Sequence, residues 1–268
     1  MIRDITIGQY YPAESPVHRL DPRVKLGATV IYIVSLFLFE SFAAYAVAAL
    51  FLAAVIKLSK VPFKFMVRGL KSIMILMMIT VLFNLFLTPG NTVLQIWRLQ
   101  ITDEGILKAI FMAIRLTLLI LGSTVMTLTT TPNNLTDGLE KALRPLKKLH
   151  VPVFEISMIM SIALRFIPIL LDETDKIMKA QTARGADFEH GNLIQRAKNM
   201  VPLLVPLFIS AFRRANDLAL AMESRCYRGG EGRTKMKPLI YKKADYAGYA
   251  IAFGYLAVLI LVGNLIKV

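Results

Sequence analysis

Polar residues thin out abruptly after Lys25. From Leu26 to Ile56 the chain carries one charge, Glu40. One straight helix of that length would run to about 46 Å, against about 30 Å for a bilayer's hydrocarbon core. The pattern therefore predicts two short helices with a turn near Glu40-Ser41. Lys25 and Lys57 stand at the ends, where long cationic side chains snorkel to the interface. One tilted helix is the alternative, and it would invert everything downstream. A third apolar stretch covers Val67–Leu87 and stops at Thr88-Pro89-Gly90-Asn91, a strong turn signal. Residues 92–104 are mixed, in the manner of a short hairpin or an interfacial segment. A fourth stretch covers Gly105–Thr131 with Arg115 inside it, and a charge-free fifth covers Ala247–Ile266.

Between the fourth and fifth stretches the pattern changes to amphipathic helix. Pro132-Asn133-Asn134 reads as a helix start, followed by a short helix through Leu139, Leu143 and Leu146. A second helix runs from about Val153 to Ala183. A third runs from about Asn192 to Ser224, and Gly229-Gly230-Glu231-Gly232 breaks it. Met200–Phe212 is uncharged but short and contains Pro202 and Pro206. Val153–Leu171 is nearer span length but holds Glu155, Arg165 and Pro168. A charge near the bilayer centre costs about 2.5–3.5 kcal/mol on insertion scales. The expectation is that both lie along the membrane face. The fold class is thus an all-α integral membrane protein of about five transmembrane helices. Its parts are 1–131 with spans one to four, a cytoplasmic block of amphipathic helices at 132–243, and a last span in 244–268.

Composition agrees. Of 268 residues, 56% are hydrophobic and the mean hydropathy is +0.57, more apolar than an ordinary soluble domain. A single cysteine excludes an internal disulfide. The net charge of +14 belongs to basic cytoplasmic loops, not to nucleic-acid binding. Lys57, Lys60, Lys64, Arg68 and Lys71 follow the second span, whereas the turns after spans one and three carry little positive charge beyond Arg98 and Lys108. The positive-inside rule then puts the N-terminus and residues 132–243 in the cytoplasm, the latter with 19 Lys and Arg against 11 Asp and Glu. The polar first 25 residues are no cleavable signal.

Candidate chemistry is sparse. His18, His150 and His190 have no ligand spacing, and no phosphate-binding Gly-x-x-x-x-Gly-Lys loop occurs. No metal or other cofactor is expected. Asp172, Glu173 and Asp175 read as a solvated helix face, and Met74, Met77 and Met78 as lipid-facing or adaptable packing. Arg115 reads as snorkelling toward the outer end of its span. Residues 18–25 read as an interfacial anchor, or as a pin holding the N-terminus to the cytoplasmic block.

Two short blocks stand out: Ala183-Arg184-Gly185, and 41 residues later Ser224-Arg225-Cys226. Each sets an arginine among small residues at the end of a long helix. Arginine's rigid fork of donors suits carboxylates and backbone carbonyls on a partner, and a cation there also suits the helix dipole. A plain solvated charge beside a helix cap is the other reading.

With Gly8-Gln9-Tyr10, Ser15 to Arg23 and Lys25, Ala183 to Ala186, and Met222 to Gly230, the chain resembles the transmembrane T components of energy-coupling factor transporters over its full length. The resemblance implies a non-catalytic subunit of a vitamin or micronutrient importer. Its partners would be two ATP-binding-cassette ATPases, docked through Arg184 and Arg225, and a small substrate-binding S component within the lipid. The second block departs from the family's Ala-Arg-Gly by reading Ser-Arg-Cys, which puts close approach beside Arg225 in doubt. A conventional importer permease with its own substrate path and a lipid-modifying enzyme built on Asp172 are the rival readings.

Overall fold

The computed structural model describes residues 10–96, 99–188, 192–230, 236 and 238–265. Gly8, Gln9, Arg98, His190, Glu231 and Gly232, singled out above, lie outside the described residues. Apart from one short hairpin, the described chain is helical. It forms two compact units. One takes in Tyr10 to Ala142 and Leu239 to Leu265, the other Leu143 to Pro238.

The first unit starts with a short helix α1, Pro16–Arg19. Ser15 caps it by accepting from the His18 N–H at 3.2 Å. Helix α2, Pro22–Leu38, has Pro22 in its first turn, and Asp21 caps it by accepting from the Arg23 N–H at 2.9 Å. The chain breaks at Glu40-Ser41, as the hydropathy pattern expects. Ser41 then caps α3, Phe42–Ser59, which ends on Lys60 at φ 55°. Helix α4, Phe63–Leu87, bends by 58° between Phe63–Lys71 and Ile73–Leu87. Strands β1, Thr92–Ile96, and β2, Leu99–Thr102, pair antiparallel. Helix α5, Asp103–Thr129, is capped by Thr102 and carries Asp103 and Glu104 in its first turn, where acids suit the dipole. Helix α6, Pro132–Leu143, follows, and α9, Lys243–Leu265, completes the unit.

Its core is a seam of α2, α3, α5 and α9 side chains, including Tyr32, Leu36, Tyr45, Leu52, Leu118, Val125, Tyr255 and Leu259. Gly122 of α5 lies directly under Tyr32. A Cβ there would sit 2.5 Å from Tyr32 Cε1, so only glycine admits this approach. Polar atoms within the seam are paired. The Tyr255 hydroxyl meets Ser35 Oγ at 2.7 Å, and Ser35 in turn donates to the Tyr32 carbonyl at 2.7 Å.

The second unit holds a 3₁₀ helix, Arg144–Leu149, and the two long helices α7, Val153–Ala183, and α8, Leu193–Ser224. Each long helix contains proline, Pro168 in α7 and Pro202 and Pro206 in α8.

Four described helices are long and apolar enough to cross a membrane: α3, α5, α7 and α9. The bent α4 makes a fifth when its halves count as one span. The five stretches read from the sequence include α2, which at 17 residues is a shade short, and leave out α7, whose apolar N-terminal half passes by length and composition.

Candidate functional site

The two arginine blocks close α7 and α8 with the same backbone device. Arg184 caps α7. The Gly185 N–H donates to the Thr182 carbonyl at 2.9 Å and the Ala186 N–H to the Gln181 carbonyl at 3.0 Å, with Gly185 at φ 90°. Arg225 caps α8. The Cys226 N–H donates to the Glu223 carbonyl at 2.8 Å and the Tyr227 N–H to the Met222 carbonyl at 3.0 Å, with Cys226 at φ 55°. Both are Schellman closures, in which a left-handed residue turns the chain so that two amides satisfy the last carbonyls. The Ser-Arg-Cys block thus reproduces the backbone path of Ala-Arg-Gly, with cysteine in the position glycine takes at little cost. Arg184, Gly185, Ser224, Arg225, Cys226 and Ala183 are all exposed. Neither guanidinium has a side-chain partner among the described residues.

Helices α7 and α8 pack antiparallel. Near one end, Gly230 sits against Phe154, where a Cβ would come within 2.3 Å of the ring, and the Tyr227 hydroxyl lies 3.1 Å from Met158 Sδ. Further along, Arg214 pairs with Glu173 at 3.3 Å. Arg225 is therefore at the Phe154 end and Arg184 at the other. At 1.5 Å of rise per residue, the two capping turns stand on the order of 35 Å apart. That separation is too large for one small molecule to bridge and suits two separate contact points. Asp172 is exposed and its neighbour Glu173 is engaged with Arg214, so the acidic cluster is dispersed. Among the described residues no group of His, Cys, Asp or Glu has the arrangement of a metal site.

A second polar cluster lies in the first unit, around the start of α2. Asp21 accepts from Arg23 Nε at 3.0 Å and Nη2 at 2.8 Å, and its own N–H donates to Asp245 Oδ1 at 2.7 Å. The other Asp245 oxygen takes the Lys242 N–H at 2.7 Å. Arg23 also donates to the Leu239 carbonyl at 3.2 Å and lies 3.8 Å over the Tyr241 ring. Lys25 Nζ donates to the carbonyls of Thr129 at 2.8 Å and His18 at 3.1 Å. Burial works against the Asp21 carboxylate, but the Arg23 hydrogen bonds outweigh it and hold Asp21 below the usual carboxylate range. Residues 18–25 thus do more than anchor at an interface: they tie the start of α2 to the end of α5 and the start of α9. Asp245, the hub of that tie, gave no sequence signal beyond an acid in a first helical turn.

Arg115 departs from the snorkelling expectation. It is 8% exposed, donates from Nε to the Tyr45 hydroxyl at 2.9 Å and from Nη2 to Glu40 at 2.8 Å. The turn at Glu40-Ser41 brings the acid within 2.8 Å of the guanidinium.

The comparisons with known proteins bear on the whole chain. A family model described as Cobalt transport protein, CbiQ, matches residues 13–236. The energy-coupling factor transporter transmembrane protein EcfT of Clostridium kluyveri is 55% identical over 263 residues, covering 97% of each chain. Its namesake in Thermosediminibacter oceani is 54% identical over 96% of this chain and 97% of its own. That of Bacillus subtilis is 48% identical over 91% of this chain and 93% of its own.

The chain belongs to the EcfT family.

An EcfT protein is the transmembrane component of an energy-coupling factor transporter, so this chain is a multi-pass membrane protein working within a larger complex. EcfT membership gives the exposed helix ends a context. A membrane component of a multi-subunit transporter presents surfaces to its other subunits.

Proposed function

We propose that this protein is the coupling subunit of its transporter. In this reading, residues 132–243 face the cytoplasm, Arg184 docks one ATP-binding-cassette ATPase and Arg225 a second, and α7 and α8 carry ATP-driven motion to an S component that binds a vitamin or other micronutrient. The N-terminus is cytoplasmic, and hydrolysis belongs to the partners.

The observation that carries the reading is the matched pair of Schellman ends. Two exposed guanidinium groups are held on the same backbone frame at opposite ends of one antiparallel pair. A partner built of two similar subunits presents two similar grooves, and paired identical frames complement that arrangement. Each arginine would meet carboxylates or backbone carbonyls that its fork satisfies. Differential contact with the two states of the ATPase pair then moves the helices as levers.

Affinity purification of the tagged protein from mild detergent tests the assembly. The reading expects two ATPase subunits and an S component in the eluate, and membrane-impermeant labelling of intact cells that leaves residues 132–243 unmodified. An eluate without ATPases, or labelling of that block from outside, contradicts it.

A further inference from the structure

The 3₁₀ helix Arg144–Leu149 has the surface of a lipid anchor. Three residues per turn stack side chains at i and i+3. Leu146 and Leu149 therefore form one ridge, Arg144 and Lys147 a second, and Pro145 and Lys148 a third. The leucine ridge stands out from the protein, with Leu149 73% and Leu146 37% exposed. A basic ridge flanks it on each side. No acid occurs between Glu140 and Glu155, whereas Lys141, Arg144, Lys147 and Lys148 all do. The turn is also stiff. Pro145 fixes its first turn, and His150 ends it at φ 60° with its N–H donating to the Lys147 carbonyl at 3.1 Å.

Along the chain it follows a candidate span closely. Helix α5, long and apolar enough to span, ends at Thr129. Helix α6 then crosses the end of the bundle where α2 begins: a Cβ on Gly138 would lie 3.0 Å from Pro22 and 3.4 Å from Leu26. In sequence the 3₁₀ helix comes next after α6, within about 15–20 residues of a span end, the zone in which basic residues sense the membrane.

We propose that Arg144–Leu149 docks on acidic phospholipid, with Leu146 and Leu149 among the upper acyl carbons and Arg144 and Lys148 at the phosphates. Isolated exposed leucines need no explanation, but an apolar ridge between two basic ones is the pattern of an element lying in the interface. Charge complementarity selects the occupant. A neutral surface would gain nothing from the flanking cations, whereas an anionic leaflet gains from each. The inference uses neither Arg184 nor Arg225 and needs no partner subunit, so it stands or falls apart from the proposed coupling role.

The test uses the full chain in lipid nanodiscs, with a Trp97→Phe background and Leu149→Trp as the depth reporter. Brominated phosphatidylglycerol diluted in phosphatidylcholine is compared with brominated phosphatidylcholine diluted in phosphatidylglycerol at the same mole fraction. The anchor expects quenching by both, stronger with the brominated acidic lipid. Arg144→Gln with Lys148→Gln, or high salt, should bring the two toward equality, a loss of roughly fivefold in local preference per cation at low salt. Leu146→Trp reports the same ridge if the first variant fails to fold. An unquenched tryptophan overturns the proposal, as does equal quenching in the otherwise unsubstituted chain. Quenching that disappears once the whole transporter is assembled would assign the turn to a protein partner and overturn it as well.

Discussion

Cys226 occupies, at the end of α8, the backbone position that Gly185 occupies at the end of α7. Both follow a capping arginine, both have positive φ, and both donate to the carbonyl three residues back. A non-glycine residue in this region costs about 1–2 kcal/mol, part of which glycine gives back through its freer unfolded chain. Cys226→Gly should therefore stabilise the protein by roughly 1 kcal/mol, and Gly185→Cys should destabilise it by a similar amount. Thermal unfolding in detergent checks both. Negligible effects of both substitutions would contradict the left-handed backbone at these two positions.

Arg115 provides a test of which of its partners matters more. The Glu40 side chain is 63% exposed, while that of Arg115 is 10% exposed. Glu40→Gln should cost under about 1 kcal/mol, as for a pair open to water. Tyr45→Phe leaves a buried Nε–H without its acceptor and should cost about 1–3 kcal/mol. Unfolding midpoints of the two variants in the same detergent should fall in that order. The reverse order would point back to an arginine reaching for solvent.

Gly122 should tolerate no side chain. Gly122→Ala drives a Cβ into Tyr32 and should cost about 1–3 kcal/mol through overpacking. Tyr32→Leu in the same chain removes the obstructing ring and should restore part of the loss. A double variant no more stable than Gly122→Ala alone would refute the contact.

The N-terminal segment should loosen in acid. His18 Nε2 faces the Tyr11 carbonyl at 3.0 Å, so it carries the proton and Nδ1 accepts from the Ser15 hydroxyl at 2.7 Å. Burial lowers the His18 pKa. The Tyr11 carbonyl works against this, and the Lys25 ammonium works with it. The folded chain thus favours neutral imidazole. Its contribution is complete above the ordinary value of 6.5 and is lost as pH falls through the lower folded value. The unfolding midpoint of the wild type should drop more than that of His18→Gln between about pH 7 and about pH 5. Parallel curves would refute the assignment.

Much of the architecture is written in local sequence. Asp21-Pro22, Ser41 and Thr102 each mark a helix start, and the break at Glu40-Ser41 follows from a run too long for one span. The arginine blocks were visible as near-copies because their spacing from the helix ends is itself local. What stayed hidden depends on residues far apart in sequence. Asp245 receives the Asp21 N–H across 224 positions, and Arg115 finds Glu40 across 75. No periodicity encodes such partners. The conformation of Cys226 was hidden for another reason: cysteine gives no hint of positive φ, and only the repeated pair of capping hydrogen bonds forces it there.

The most direct measurement is the amount of ATPase that co-purifies with the tagged protein when Arg184→Glu and Arg225→Glu are introduced singly and together. Loss of a buried, hydrogen-bonded charge pair at an interface costs about 2–5 kcal/mol, or roughly 30- to 4,000-fold in affinity. The account predicts that each single variant weakens retention and the double variant abolishes it, while membrane insertion and yield stay at wild-type levels. Full ATPase retention and unchanged uptake in a well-inserted double variant would contradict it.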